Sequence, residues 1–360
     1  MKRLSTIGSI LLVLVLVGGV AARLWRQPAH MPPRPESATN PVPINAGKAT
    51  VSAVEADLVD FATIRARLTS LEKTNTVAEI IRWLNTGRDA PTGQGFKLNS
   101  DGSLRDAPTV RVYLLDQLRR LDPAAAASYA RVILGSKSSP DEWALALQSL
   151  ATGDSGPGAR DLLKQKFAEM LAYTPWQQSP SIGYLEAFDV AVFLGDPELV
   201  NPLAGLIRDQ GNSATAHAAF LALDRMIINA PAAALAALEA DPSLLQGREG
   251  TRADYFARAD VQDAQQRQIL EGYMLNPQIS TAELQQFTAI FPNANYMISA
   301  NLITSNPQAD HAALAARDQA SLQAVGTWLA DPRFDQLRPQ LQRLQQRLQS
   351  FVDQEQASGQ

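Results

Sequence analysis

Leu194-Gly195-Asp196-Pro197-Glu198-Leu199-Val200-Asn201-Pro202-Leu203 decides the reading of this chain of 360 residues. Apolar residues run up to Leu194 and resume at Leu199, and Gly195, Asp196 and Pro197 between them favour a turn, so the stretch reads as two helices joined by a tight connection. Working outward, Ala187-Phe188 recurs 32 residues on as Ala219-Phe220, and 21 residues after each copy stands an aspartate, Asp209 and Asp241. In each copy an apolar helix meets a turn, at Pro197 or Pro231, and a second apolar helix follows. Leu114 to Leu134 has the same shape, turning at Leu121-Asp122-Pro123-Ala124-Ala125-Ala126, and Trp143 to Leu171 turns at Gly153 to Gly158. A helical hairpin recurring at such a period cannot bury its apolar faces alone, so neighbours must stack.

The 194–203 turn closely resembles the inter-helix turn of HEAT-like repeats. The resemblance covers roughly residues 105–245 and is clearest at 184–241. It implies an all-α fold, an irregular α-solenoid of helical hairpins with a concave partner-binding surface, and it brings no catalytic residues with it. The residues by themselves leave open an irregular helical bundle.

Composition narrows the classes. Hydrophobic residues make up 46% of the chain and charged residues 19%, which is enough to bury a sizeable core and excludes disorder throughout. Alanine supplies about 15%, a share that fits close helix packing. The absence of cysteine removes disulfides, thiol nucleophiles, cysteine-based metal sites and lipid attachment at cysteine. A net charge of −4 argues against a nucleic-acid partner, which calls for clustered Lys and Arg.

The N-terminus reads as a signal-anchor or transmembrane helix over residues 1–27. Lys2 and Arg3 precede an apolar run from Ile7 to Ala22, which Leu24 and Trp25 extend into the headgroup region, so residues 7–25 are the expected membrane contact. Cleavage after Val20-Ala21-Ala22 is the alternative, giving a secreted or periplasmic protein. Either way the body is expected outside the cytoplasm, on the inner membrane if the anchor is kept. Residues 1–27 hold four basic and no acidic residues, so the remaining 28 basic and 36 acidic residues leave −8, with little attraction for an anionic lipid surface. Pro28, Pro32, Pro33, Pro35, Pro41 and Pro43 make residues 28–47 a stalk.

Beyond the stalk, residues 48–110 are expected to hold helices with an insertion, 111–245 the helical repeats, 246–332 further helices, and 333–360 an amphipathic heptad helix with a polar tail. Val54, Leu58, Phe61, Ile64, Leu68 and Leu71 mark one helical stripe, and Asn75 or Thr76 caps a helix ended by Gly87. Phe96, Leu98 and Leu104 flank Asp101-Gly102, which predicts a small β-hairpin. Helices are expected at Ala259 to Met274, Thr281 to Phe291 and Asp310 to Leu329. Phe334, Leu337, Leu341, Leu344, Leu348 and Phe351 alternate steps of three and four, a narrow seam that serves either as an end cap for the helical stack or as a homodimer contact through 334–351.

Signals of chemistry are sparse. His30, His217 and His311 have no histidine four residues on, so no helical metal pair forms. Gly153-Asp154-Ser155-Gly156-Pro157-Gly158 joins two helices and lacks the setting of a serine nucleophile. Lys97 to Gly102 lacks both end carboxylates of a calcium loop. No catalytic residue, cofactor or metal is therefore assigned. The expected activity is that of a protein-binding scaffold or adaptor whose partner-binding surface draws on Arg88, Asp89, Phe96 and Arg105 in the long 86–109 connection and on Asn293, Asn295 and Tyr296. A cell-envelope hydrolase using acidic residues near that connection and a dimeric spacer are the alternatives.

Overall fold

A computed structural model describes residues 61–209, 211–306 and 311–358. The expected anchor, stalk and first turns of the initial helix lie outside the described residues. The described residues belong to one compact unit. Among the described residues the fold is all-α apart from one two-stranded hairpin.

The helices α1 (Phe61–Thr69) and α2 (Lys73–Asn85) lead to the hairpin, β1 (Lys97–Leu98) against β2 (Leu104–Asp106). Then come α3 (Val110–Leu121), α4 (Pro123–Ile133), α5 (Pro140–Gly153), α6 (Ala159–Leu171), α7 (Thr174–Gln178), α8 (Ile182–Glu186), α9 (Asp189–Leu194) and α10 (Val200–Arg208). The series continues with α11 (Ser213–Asn229), α12 (Pro231–Ala240), α13 (Glu249–Phe256), α14 (Ala264–Leu275) and α15 (Thr281–Ile290). Residues 291–306 have neither helix nor strand, and α16 (His311–Ala330) and α17 (Arg338–Ser358) close the chain.

Local chemistry sets these boundaries. Asp122 accepts from Ala125 N at 2.9 Å and Pro123 opens α4; Ser139 caps α5, which Pro140 opens; Asn212 takes the N–H groups of Ala214 and Thr215 at the start of α11. Gly195, at φ 56°, ends α9 in a left-handed cap, and a 3₁₀ turn at Pro197–Leu199 precedes α10. The second helix of the deciding stretch thus starts at Val200, one residue after the apolar run resumes at Leu199. Two other starts differ. α2 begins at Lys73, and Thr76 lies inside it with Oγ1 bonded back to Glu72 O at 2.9 Å instead of capping it. α14 begins at Ala264 because Asp263 caps it through Gln266 N.

Packing joins sequence neighbours, such as α4 with α5 and α10 with α11, and also alternate helices. α3 meets α5, α5 meets α8 and α9, α9 meets α11, and α13 meets α15, while α10 meets α12 and α12 meets α14. One apolar core runs from Ile80 to Leu348, and within α5 every residue from Glu142 to Leu150 is buried. The expected hairpin forms, antiparallel, with Lys97 opposite Asp106 and Leu98 opposite Leu104. It is fastened down by Phe96, Leu104 and Ala107, all buried. The heptad seam is filled from within the chain, although its helix starts only at Arg338: Phe334, in a 3₁₀ turn at Pro332–Leu337, and Leu341, Leu344 and Leu348 of α17 are buried where these elements pack on α16 and α15, and Phe351 alone of the seam is exposed, at 41%.

Candidate functional site

Charged residues inside apolar helix windows must find partners, because an unpaired buried charge costs several kcal/mol. Four such pairs tie a helix to a helix, or to the turn just past one, further along. Arg111 clasps Glu142 with Nε to Oε1 at 2.8 Å and Nη2 to Oε2 at 3.0 Å. Arg252 clasps Glu283 at 2.7 and 2.6 Å. Arg258 clasps Asp224 through Nε and Nη2, and Arg225 Nη1 lies 3.2 Å from Asp189 Oδ1. Sequence separations in these pairs are 31, 31, 34 and 36 residues.

The last two pairs also hold a strap, residues 291–306, by its backbone. Asp189 Oδ2 accepts from Ile303 N at 2.6 Å and Thr304 N at 2.7 Å, and Oδ1 accepts from the Thr304 hydroxyl. Arg225 donates to Ala300 O at 2.6 Å, Ser305 O at 2.8 Å and Ser299 Oγ at 3.0 Å. Arg258 Nη1 donates to Asn295 O at 2.8 Å, and Asn293 N donates to Ala257 O at 2.7 Å. Gln148 Nε2, on α5, donates to Leu302 O and, at 2.8 Å, to Gly102 O. Gln148, Asp189, Arg225 and Arg258 therefore read main-chain groups from α5, α9, α11 and the end of α13 in turn. Leu302 plugs into the core at 1% exposure, and the hairpin tip comes so close that a Cβ on Gly102 would lie 2.4 Å from Leu302 O.

Burial dominates the electrostatics here. It pushes the carboxyls of Asp189 and Asp224 above the usual range, against the hydrogen bonds from Thr304 and Ile303 in the first case and the charge of Arg258 in the second. Burial likewise lowers the guanidinium of Arg225, opposed by Asp189. Tyr184, fully buried with its hydroxyl unpartnered among the described residues, is raised by the same cause.

Beside the strap opens a pocket of about 360 Å³ between α8–α9 and α11. Its walls are mostly apolar, with Leu185, Phe188, Val192, Leu221 and Ala222 below and Ile298 of the strap at the rim. Ile298 is 89% exposed. Glu186 stands in the wall, half-buried, its carboxyl raised by burial and by the neighbouring Asp189, and accepts from Asn301 N at 3.4 Å.

The structure separates the residues singled out from the sequence. Asn293, Asn295 and Tyr296 lie on the strap, where Asn293 and Asn295 serve through their carbonyls and Tyr296 is 39% exposed. Arg88, Asp89 and Arg105 are exposed on the 86–109 connection, where Asp89 Oδ1 accepts from Arg111 N at 2.9 Å. Phe96 is not at the surface: it is 5% exposed, its ring against Gly183, where a Cβ would sit 2.9 Å from it. Asp101 and Asp106 of that connection are held below the usual carboxyl range, by Ser103 and by Lys97. Gln148, Asp189, Asp224, Arg225 and Arg258 escaped sequence reasoning. Their signal was present, as charges and an amide within apolar windows such as Phe220-Leu221-Ala222-Leu223-Asp224-Arg225-Met226-Ile227.

Among the described residues no group of three or more His, Asp or Glu side chains could hold a metal ion, and no helix is long and apolar enough to cross a membrane. No protein-family model, curated protein or solved structure matches the chain.

Proposed function

We propose that this chain is a helical-repeat protein of HEAT-like architecture, tethered to the inner membrane with its body outside the cytoplasm, that acts by binding another protein. The contacts between alternate helices and the charge pairs at separations of 31 to 36 residues support the repeat. The apolar run from Ile7 to Ala22 supports the tether. The observation that carries the function is the row Gln148, Asp189, Arg225 and Arg258. Helices α5, α9 and α11 and the turn after α13 there hold a non-helical segment through its main chain, so the surface is equipped for peptide chain whatever its side chains.

The test places a photo-crosslinking amino acid at Ile298, beside the row, and in a second variant at Val132 on α4, which is 66% exposed. Both full-length variants are irradiated in native membranes. A discrete protein adduct at Ile298 that position 132 does not give is the expected result; no adduct at either, or the same adducts at both, overturns the reading.

A further inference from the structure

We infer that the pocket between α8–α9 and α11 receives an apolar side chain of a partner peptide in which the next residue is basic. This rests on the protein-binding function proposed for the chain and names the chemistry of what is bound.

Volume and lining favour an apolar anchor. About 360 Å³ lies at the lower end of ligand pockets, which run from roughly 300 to 1,000 Å³. Leu185, Phe188, Val192 and Leu221 offer it no hydrogen-bonding side chain. The strap beside it supplies main-chain groups. Among the described residues the backbone N–H and C=O of Tyr296, Met297 and Ile298 make no hydrogen bond, in contrast to those of Asn293, Ile303 and Thr304. A peptide laid along 296–298 would pair with that edge and set a side chain into the pocket.

Glu186 fixes the charge. Asp189, one turn on, is saturated by Ile303, Thr304 and Arg225, whereas Glu186 has, among the described residues, one hydrogen bond of 3.4 Å. A half-buried carboxylate so weakly partnered gains most from a cation, and an ammonium or guanidinium beside the anchor would restore the charge-assisted bonds it lacks. His217, exposed on α11 and stacked on Phe220 with centroids 6.1 Å apart, also lines the pocket. A second copy of the chain is a poor occupant, because residues 28–360 carry a net charge of −8.

Fluorescence anisotropy on the full-length protein tests this with three dye-labelled, capped hexapeptides in a glycine–serine context. One carries leucine then lysine, one leucine then glutamate, one alanine then lysine. The leucine–lysine peptide is expected to bind at least tenfold more tightly than either other. Glu186→Gln should cut its advantage over the glutamate peptide to below twofold, and Ala214→Trp, which fills the pocket from an exposed position on α11, should abolish binding of all three. Equal affinities, no binding by any peptide, or binding indifferent to both substitutions overturns the inference. Should an adduct form at Ile298 while the three peptides fail to discriminate, the scaffold reading stands and this chemistry falls. Peptides that discriminate as expected, with no cellular adduct at Ile298, uphold the chemistry of the pocket and overturn the scaffold reading.

Discussion

Asp241, after α12, accepts from Ser243 N at 3.0 Å and Ser243 Oγ at 2.6 Å, two residues along its own chain. Asp189, on α9, accepts from Ile303 and Thr304, more than a hundred residues away. The first arrangement recurs at turns throughout the molecule: Asp101 takes Ser103 N, Asp154 takes Gly156 N, Asp196 takes Glu198 N, and Asp331 takes Arg333 N. The second recurs in the interior, where Asp224 meets Arg258. Both satisfy a carboxylate, yet they differ in what they cost and specify. A turn aspartate stays in water and closes a local loop, so it fixes a helix boundary at little desolvation. An interior aspartate gives up its hydration, is stable only with every partner in place, and thereby fixes which distant segment lies against it.

The sharpest way to break this contrast is Asp189→Ala. It strips Ile303 and Thr304 of their acceptor and leaves Arg225, 2% exposed, without a carboxylate. A loss of about 3–5 kcal/mol is expected in urea unfolding of the full-length protein. If Asp189→Ala costs no more than a turn substitution, interior and turn aspartates are equivalent after all. Next, Asp224→Leu and Arg258→Met together should destabilise less than the sum of the two alone, with a coupling of about 1–3 kcal/mol in a double-mutant cycle. Additive losses would mean that the pair acts as two independent groups. Gly102→Ala places a Cβ on Leu302 O at a residue with φ 75° and should cost about 1–3 kcal/mol, read as a lowered urea midpoint. An unchanged midpoint would detach the hairpin tip from the strap. Asp122→Ala removes the cap of α4 and should cost about 1 kcal/mol.

The smallest effect is one of pH, and its sign separates the two classes. The Asp196 carboxyl is held low chiefly by Lys164, so its contribution is present above the unfolded value of 3.8 and is lost as pH falls through the lower folded value. The stability gap between parent and Asp196→Asn should therefore close on acidification below pH 3.8. Burial raises Asp224, so the folded state binds its proton more tightly than the unfolded chain. Its contribution falls as pH rises through the folded value, above 3.8. Urea midpoints over a pH series read both, and a gap at Asp196 that widens toward acid would refute the assignment.

The same division explains what could be read from the sequence. Helix positions, the hairpin at Asp101-Gly102 and the turns at Asp122 and Pro197 rest on residues within a few places of one another, so spacing and turn chemistry reveal them. The interior row depends on partners separated by 31 to 154 residues, and no local pattern encodes such a meeting. Phe96 shows the converse. In a polar, glycine-bearing connection an aromatic reads as surface, but the connection folds back and buries it against Gly183. Asn293 and Asn295 lie on the strap, where Arg258 takes their carbonyls, which any residue could have supplied.

Seating the strap also orders assembly in time. Helix-to-helix charge pairs close segments of about 34 residues, whereas Gln148 meets Leu302 across 154. Closing the longer loop in one step costs about 1.3 kcal/mol more in chain entropy, and no reward comes until both ends are shaped to receive each other. Contact order therefore favours a helical body that forms before the strap docks onto it.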